Sequence, residues 1–248
     1  MSTDKIAGRN PVMEALKSGR EIDKILIAKG TEGGSLIKII GKAKDRGIPI
    51  QYVERQKLNE MSESTSHQGI IATVAAYEYS DLDDILDNIK DKGKDPFILI
   101  LDEIMDPHNL GSIMRTADAV GVDGIIIPKR RSVGLTATVA KSSAGAIEYV
   151  PVAKVSNIAQ TIDRIKEKGI WVAGADMSGA KEHYSSDLKG PLALVIGSEG
   201  EGISRLIKEK CDFLVKLPMI GQVSSLNASV AAAVLMYEAF RQRTNANN

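Results

Sequence analysis

A polar turn followed by an isolated arginine is the first feature of this sequence that could do chemistry. In residues 101–121, Asn109 stands where the N-cap of a helix is expected, because its side-chain oxygen can accept a hydrogen bond from an unpaired N–H group. Arg115 follows six residues later and interrupts the apolar pattern of that helix. A guanidinium can bind a phosphate through two parallel hydrogen bonds. From the spacing alone, a capped helix with a solvated arginine is the favoured interpretation.

A glycine-rich turn, residues 197–202, follows an apolar run at residues 192–196 and has the sequence GSEGEG. Glycines permit a close approach of the backbone to a ligand. Glu199 and Glu201 argue against a phosphate and favour a cationic or hydroxyl-bearing ligand, since phosphate-binding loops end in lysine. An ordinary strand-to-helix turn is the alternative.

A third loop precedes the last helical pattern of the chain. Pro218 follows a predicted strand end, and Ser224 or Ser225 is predicted to cap a long alanine-rich helix. The body of that helix is typical of a core element. The polar Ser-Ser-Leu-Asn segment in front of it is where we expect function.

Several classes of site are missing from the sequence. The sequence lacks a phosphate-binding GxxxxGK[ST] motif and a cysteine–histidine cluster. It also lacks the glycine turn of a dinucleotide-binding enzyme. The three histidines are dispersed, so we expect no metal site. An NAD-dependent dehydrogenase is therefore disfavoured.

Composition indicates a globular protein of a reducing compartment. The 248 residues are 43% hydrophobic and 26% charged, and a single cysteine allows no intramolecular disulfide. No apolar run approaches the roughly 20 residues needed to cross a bilayer, so we expect a cytoplasmic protein with no membrane partner. The net charge of zero permits nucleic acid without demanding it.

The hydrophobic pattern divides the chain into three parts. Residues 1–77 alternate helical and strand patterns and predict a small α/β domain. Residues 78–95 are acidic and predict a linker with one short amphipathic helix. Residues 96–248 alternate buried strands with helices, which predicts a mostly parallel sheet covered on both faces. Ligands of such sheets bind beyond the carboxyl ends of strands, here after Leu101, Ile196 and Leu217.

Together the three loops resemble the SpoU/TrmH family of the SPOUT methyltransferases. The family motif N-x-G-x-x-x-R-T-A matches Asn109–Ala117, I-G-x-E-G-x-G matches Ile196–Gly202, and L-P-M-x-G-x-x-x-S-L-N-x-S-x-A matches Leu217–Ala231. The resemblance covers about residues 96–243. GRNPVMEAL at Gly8–Leu16 and SHQGI at Ser66–Ile70 resemble the substrate-binding domain often fused to the family, which itself resembles an RNA-binding ribosomal-protein fold.

The resemblance implies an α/β-knot fold and a cofactor. A deep trefoil knot is expected in the C-terminal domain, an exception to the rule against threaded chains. S-adenosyl-L-methionine (AdoMet) should lie bent in the knot, held by Gly197, Leu217 and Leu226, with Ile196 and Met219 near the adenine. A homodimer formed through the knotted region is also implied.

The resemblance gives Arg115 the central role in transferring a methyl group to a ribose 2′-oxygen of RNA. A guanidinium stays protonated in proteins, so our hypothesis is that Arg115 binds the adjacent phosphate, stabilises the developing alkoxide and loses a proton late if at all. Asn109 should hold Arg115 or the ribose. Glu199 and Asn227 should fix Arg115 and its loop by hydrogen bonds, with Ser225 nearby.

Two basic segments are candidates for RNA contact. Lys129, Arg130 and Arg131 follow a predicted strand and could bind phosphates, or could form a solvated loop. Arg9 and Asn10 are candidates in the first domain. The expected substrate is a guanosine of 23S rRNA. A tRNA, an rRNA adenosine, or a non-catalytic role in ribosome assembly are the alternatives.

Overall fold

The computed structural model describes residues 5–17, 20–62, 67–74, 77–91, 93–179, 181–222 and 225–245. The chain forms two compact units, one of Met1–Glu78 with Gly134–Ala137 and one of Tyr79–Val133 with Thr138–Asn248. Each unit has its own sheet and core.

The first unit is a four-stranded sheet with helices on both faces. Its sheet order is β1-β4-β2-β3; β4 runs antiparallel to β1 and β2, and β3 runs parallel to β2. Leu36 and Ile39 of α2 pack in one core cluster with Ile25, whereas Leu58 of α3 packs with Leu26 on the other face. The elements are β1 (Lys5–Ala7), α1 (Arg9–Lys17), β2 (Ile22–Ala28), α2 (Gly34–Asp45), β3 (Ile50–Val53), α3 (Arg55–Met61) and β4 (Ile70–Val74).

The second unit contains a seven-stranded, wholly parallel sheet of order β7-β6-β5-β10-β8-β11-β9. The central strands are apolar at every position because helices cover both faces of the sheet. The strands are β5 (Phe97–Leu101), β6 (Gly124–Pro128), β7 (Val152–Val155), β8 (Trp171–Ala175), β9 (Lys181–Glu182), β10 (Leu192–Ile196) and β11 (Phe213–Lys216).

Helices alternate with these strands, as predicted. They are α4 (Leu82–Asp91), α5 (Pro107–Ala119), α6 (Ala137–Ser142), α7 (Ile158–Glu167), α8 (Arg205–Lys210) and α9 (Ala228–Asn245), with short 3-10 turns at Ala146–Glu148 and His183–Ser185. The mostly parallel α/β architecture expected from the sequence is confirmed. Strands β1, β7 and β9 were not predicted.

The structure corrects the prediction of a linker at residues 78–95. Helix α4 buries Leu82, Ile85, Leu86 and Ile89 in the same core cluster as Ile98 of β5. A helix with four apolar side chains on one face is more stable against a sheet than in water, roughly by 1.5–3 kcal/mol for each buried side chain. The acidic residues of this segment lie on the opposite, solvated face, and this face gives the segment the composition of a linker.

Candidate active site

The carboxyl ends of β8, β10 and β11 meet at one pocket of the second unit. The cavity has a volume of about 220 Å³. All six residues predicted to hold the cofactor line it: Ile196, Gly197, Leu217, Met219, Ser225 and Leu226. The structure therefore brings these residues together, and their function as cofactor ligands stays a prediction.

The glycines of the loop after β10 are required by the loop itself. A side chain at Gly197 would overlap the backbone of Gly202 and Ile203. Ser198 and Gly202 exchange two backbone hydrogen bonds, of 3.1 and 3.0 Å, and Gly202 has a φ of +66°. Asp102, buried after β5, accepts a hydrogen bond of 2.9 Å from the Ser204 N–H and ties this loop to β5. The pocket wall is thus a tightly closed turn.

Carboxylates and apolar side chains make up the rest of the pocket wall. Asp176, Glu199 and Glu201 line the pocket together with Leu217 and Met219. This donor set fits AdoMet, because carboxylates suit its cationic groups and apolar side chains suit its adenine. The acidic glycine turn agrees with the expected preference for a cationic ligand.

Asp176 is held as a carboxylate by its neighbours. Its Oδ2 lies 2.5 Å from Lys208 Nζ, and its Oδ1 accepts bonds of 2.9 and 2.5 Å from Ser178 N and Oγ. Burial acts to raise the pKa of Asp176, but the hydrogen bonds from Lys208 and Ser178 outweigh it and hold that pKa below its ordinary value. Asp176 therefore keeps a negative charge in the pocket wall.

A hydrogen-bond network joins the three loops singled out in the sequence. Asn109 Nδ2 donates to Glu199 Oε1 (2.9 Å), and Asn227 Nδ2 donates to Asn109 Oδ1 (3.0 Å) and to Glu199 Oε1. The Ala228 N–H reaches the same carboxylate oxygen at 3.3 Å. Bonds to a carboxylate are stronger than neutral ones, so Glu199 anchors α5 and α9 to the glycine loop.

The structure corrects two predicted helix caps. Asp106, not Asn109, caps α5, since its Oδ1 accepts the His108 N–H at 2.9 Å and Pro107 occupies the first helical position. Asn227 serves α9: its Oδ1 accepts the Ser229 N–H at 3.0 Å and the Val230 N–H at 3.3 Å. Ser225 therefore is not the cap, and Ser224 lies outside the described residues.

Arg115 does not join the network. Its side chain is exposed, and within the described parts of the chain it forms no hydrogen bond or ion pair. The predicted hydrogen bonds of Glu199 and Asn227 to Arg115 itself are therefore not formed in this structure, whereas their bonds to Asn109 hold the segment that leads to it. The reason is helical geometry: six residues separate Asn109 from Arg115, which places them about 120° apart around α5. The guanidinium is left available to a substrate.

The basic segment after β6 is partly neutralised. Arg131 Nη1 lies 2.9 Å from Glu103 Oε1, and the hydrogen bond and charge of Glu103 raise the pKa of Arg131. Both residues have a positive φ, +54° and +61°. Arg130 is exposed and Lys129 is half-buried. Of the two arginines of this segment, Arg131 is thus already paired with a carboxylate.

In the first unit, Arg9, which was predicted to contact RNA, forms hydrogen bonds within the chain. Arg9 Nη2 donates to Glu32 O at 3.0 Å and Nη1 donates to Ser35 Oγ at 3.3 Å. Asn10, next along α1, is exposed. Both residues line one polar cleft of this unit.

Sequence reasoning missed the loop after β8. Asp176 and Met177 line the pocket because β8 is the parallel neighbour of β10. The strand itself was predicted, and the rule that ligands bind beyond strand ends would have found these residues. Across the described ranges, no three histidine, cysteine, aspartate or glutamate side chains are grouped to hold a metal ion. No described helix combines the length and hydropathy of a membrane span.

The chain matches two protein families. The SpoU rRNA Methylase family matches residues 96–237, and RNA 2′-O ribose methyltransferase substrate binding matches residues 5–80. YacO of Bacillus subtilis (strain 168), assigned to the TrmH family of tRNA/rRNA methyltransferases, is 58% identical over 97% of this chain and 96% of its own. A relative of the same family assignment from Staphylococcus aureus (strain MSSA476) is 52% identical over 98% of both chains.

A solved structure agrees with these matches. The SpoU methyltransferase AviRb from Streptomyces viridochromogenes, in complex with the cofactor AdoMet, has a TM-score of 0.62 and 26% identity, covering 97% of this chain and 90% of its own. The family model covers more than half of the chain, and its three motifs coincide with the loops that build the pocket and the network. The chain therefore belongs to the SpoU rRNA methylase family of AdoMet-dependent RNA methyltransferases.

Proposed function

We propose that this protein methylates the 2′-oxygen of a ribose in RNA, with AdoMet as the donor. The observation that carries the proposal is the hydrogen-bonded network of Asn109, Glu199 and Asn227, which fixes three loops around the pocket while Arg115 stays free. A site so arranged has a closed wall for a cofactor and an unpaired cation for the substrate. The match of residues 5–80 to a 2′-O ribose substrate-binding domain supports ribose as the acceptor.

The pocket residues are proposed to bind the cofactor mainly through backbone groups and apolar contact. Gly197, Leu217 and Leu226 supply backbone groups, and Ile196 and Met219 supply apolar surface for an adenine. The carboxylates of Asp176, Glu199 and Glu201 stabilise positive charge in the pocket. When bound, AdoMet supplies a methyl group already activated on a sulfonium.

Arg115 is the proposed catalytic residue. Its guanidinium binds the phosphate beside the target ribose through two hydrogen bonds and orients the 2′-hydroxyl toward the pocket. The same charge stabilises the alkoxide as the hydroxyl proton leaves. The donor is already activated, so orientation and charge stabilisation are the contributions the protein has to make.

Asn109, Glu199 and Asn227 are proposed as positioning residues. They fix the start of α5 against the glycine loop and against the start of α9. Arg115 lies further along the same helix, so these bonds fix the helix that carries it. Ser225 lines the same pocket and belongs to the segment that Asn227 anchors.

The proposed substrate is 23S rRNA, modified at a guanosine as by the bacterial methyltransferase RlmB, which this sequence resembles. The substrate-binding match supports an RNA substrate, and the similar relatives carry names that span tRNA and rRNA. Arg130 and Lys129, and Arg131 once released from Glu103, are proposed phosphate ligands. We also propose a cytoplasmic location, since that is where this RNA resides.

Incubation with labelled AdoMet and either unmodified rRNA or unmodified tRNA tests the substrate. Label in a single rRNA position supports the proposal, and mapping that position names the nucleotide. Label in tRNA alone would replace rRNA with the tRNA alternative. No label in either RNA would overturn the proposed activity.

Helix α9 supports the proposal of a homodimer. One face is buried against its own unit at Ala232, Leu235, Met236 and Ala239. The other face exposes Val230 (48%), Val234 (39%), Tyr237 (52%) and Phe240 (41%). A helix that is apolar all round is normally covered on both sides. A second copy of the chain would cover the exposed face of α9. We also propose that the C-terminal segment beside it is threaded as a trefoil knot.

Sedimentation measures the dimer directly. The unaltered chain should sediment as a dimer, and Val234→Glu should sediment as a monomer at the same concentration. Lys168→Glu, an exposed change at the end of α7, is the control and should leave the dimer intact. A monomeric unaltered chain would refute this assembly.

A further inference from the structure

The first unit contains a polar cleft at the carboxyl ends of its two parallel strands. Its volume is about 610 Å³. Arg9 and Asn10 begin α1 at its wall, Thr31 follows β2, and Arg55 begins α3 directly after β3. In open α/β sheets, ligands bind beyond the carboxyl ends of parallel strands. The cleft has the position of a binding site in its own unit.

The two arginines of the cleft differ in what they bind. Arg9 is half-buried and donates to Glu32 O, Ser35 Oγ and Gln68 O. Arg55 is exposed and, in the described ranges, has no hydrogen bond or ion pair. Arg9 therefore builds the cleft, and Arg55 offers its whole guanidinium to a ligand. Glu32 also lines the cleft, so its net charge is positive by one.

Amide groups supply the remaining free donors and acceptors. Gln68 Oε1 accepts the Arg9 N–H at 3.0 Å, which leaves the Gln68 NH₂ group unused, and the Asn10 amide has no partner among the described residues. Gln68 is held in a strained conformation with a φ of +51°. Buried His67 supports that turn, since its Nδ1 accepts the Gly69 N–H at 3.1 Å and its Nε2 then donates to Asn59 Oδ1 at 2.7 Å.

We propose that this cleft takes one unpaired nucleotide of the substrate RNA, with its phosphate on Arg55 and its base edge on the amides of Asn10 and Gln68. The inference rests on the proposed function and adds a requirement for a loop or bulge in the RNA. A fork of N–H donors matches a phosphate, and side-chain amides match base edges. A base stacked within a duplex does not reach into a concave cleft, whereas an unpaired base can. Among the described residues no aromatic side chain lines this cleft, so edge contacts hold the base in place of stacking.

Binding of two labelled RNAs to the full chain tests the proposal. One probe is a hairpin with an unpaired loop, and the other is a fully paired duplex of the same length. The unaltered protein should prefer the hairpin. Arg55→Gln should weaken hairpin binding about ten-fold and Asn10→Ala several-fold, as expected for bonds to charged and neutral groups. Lys44→Gln, an equal loss of charge at the far end of α2, is the matched control and should change little.

Salt dependence separates a phosphate contact from a structural effect. Arg55→Gln should reduce the slope of log affinity against log salt by about 0.7, the contribution of one phosphate in a single strand. Asn10→Ala should keep the slope. Hairpin binding by Arg55→Gln equal to that of Lys44→Gln, or equal affinity of the unaltered protein for hairpin and duplex, would overturn the inference. If methyl transfer by the unaltered protein persists in that case, the proposed function stands; absence of any transfer refutes the proposed function itself.

Discussion

The two units differ in fold, but each contains residues that join loops by hydrogen bonds and an arginine that forms no such bond. In the second unit, Asn109, Glu199 and Asn227 join loops by hydrogen bonds, and Arg115 has no hydrogen bond or ion pair among the described residues. In the first unit, Arg9 joins loops and Arg55 remains free. In each unit, a residue predicted from the sequence to contact the substrate instead joins loops by hydrogen bonds, and we call such a residue an anchor. Arg115 lies on the same helix as Asn109, whereas Arg55 begins the helix that follows β3.

The comparison predicts which substitutions affect chemistry and which affect folding. An anchor should show its effect in the free energy of unfolding and in the geometry of the loops it joins. A free arginine should show its effect in turnover or RNA binding, with stability unchanged.

Arg115→Lys is expected to have the largest effect. It keeps the positive charge but loses the planar fork, so single-turnover methyl transfer at saturating AdoMet and RNA should fall roughly 10²- to 10³-fold. AdoMet affinity, measured by calorimetry, should be unchanged because Arg115 does not line the pocket. Near-normal turnover would show that the fork is dispensable and would remove Arg115 from the mechanism.

Asn227→Ala should have the next largest effect, on both turnover and stability. Loss of its hydrogen bonds to Asn109 and Glu199 should lower kcat roughly ten- to hundred-fold through misplacement of the loops. Loss of the helix cap should cost about 1 kcal/mol of unfolding free energy. Asn227→Ser keeps a capping oxygen and is the control: its stability should recover while kcat stays low. Recovery of both would leave the cap as the only function of Asn227.

Arg9→Ala should lower stability where Arg55→Gln does not. Arg9 loses bonds to Glu32, Ser35 and Gln68, and we expect a loss of about 1–2 kcal/mol in urea unfolding. Arg55 is exposed and unbonded, so its substitution should stay within about 0.5 kcal/mol. Equal destabilisation by the two variants would remove the distinction between anchor and ligand in the first unit.

Asp176→Asn should give the smallest effect, and one that depends on pH. The pKa of Asp176 lies below its ordinary value of 3.8 in the folded chain, so its carboxylate stabilises the fold above that value. That contribution is lost as the pH falls through the folded pKa. The difference in Tm between the two proteins should therefore be full at neutral pH and shrink in acid below 3.8. A difference that grows on acidification contradicts the pairing with Lys208 and Ser178.

The sequence predicted the central sheet because buried parallel strands leave a strong local signal. Phe97–Leu101 and Leu192–Ile196 are uninterrupted apolar runs with polar turns after them, and both strands have the predicted bounds. Helix α4 was predicted as an amphipathic helix, but its segment was assigned to a linker because the apolar face contributes only four residues among many acidic ones. Burial of that face depends on β5 and β6, which local composition does not reveal.

The candidate site was predictable in its residue types but not in its bonds. The pocket residues follow from motifs at strand ends, and all six line the pocket. The partners of Asn109, 90 and 118 residues away, depend on how the loops fold back on one another. The same is true of Arg9, whose bonds reach Glu32 and Gln68, 23 and 59 residues away. Pro107, which favours the first helical position, would have identified Asp106 as the cap.

The position of the transferred methyl group distinguishes methylation of a ribose from methylation of a base. RNA methylated by the protein with labelled AdoMet is hydrolysed in alkali, which cleaves next to a free 2′-hydroxyl and leaves the bond beside a 2′-O-methyl group intact. The account predicts that the label is recovered in alkali-resistant dinucleotides and that Arg115→Lys removes it. Label recovered in mononucleotides would mean methylation of a base, and would contradict a site built to orient a ribose hydroxyl.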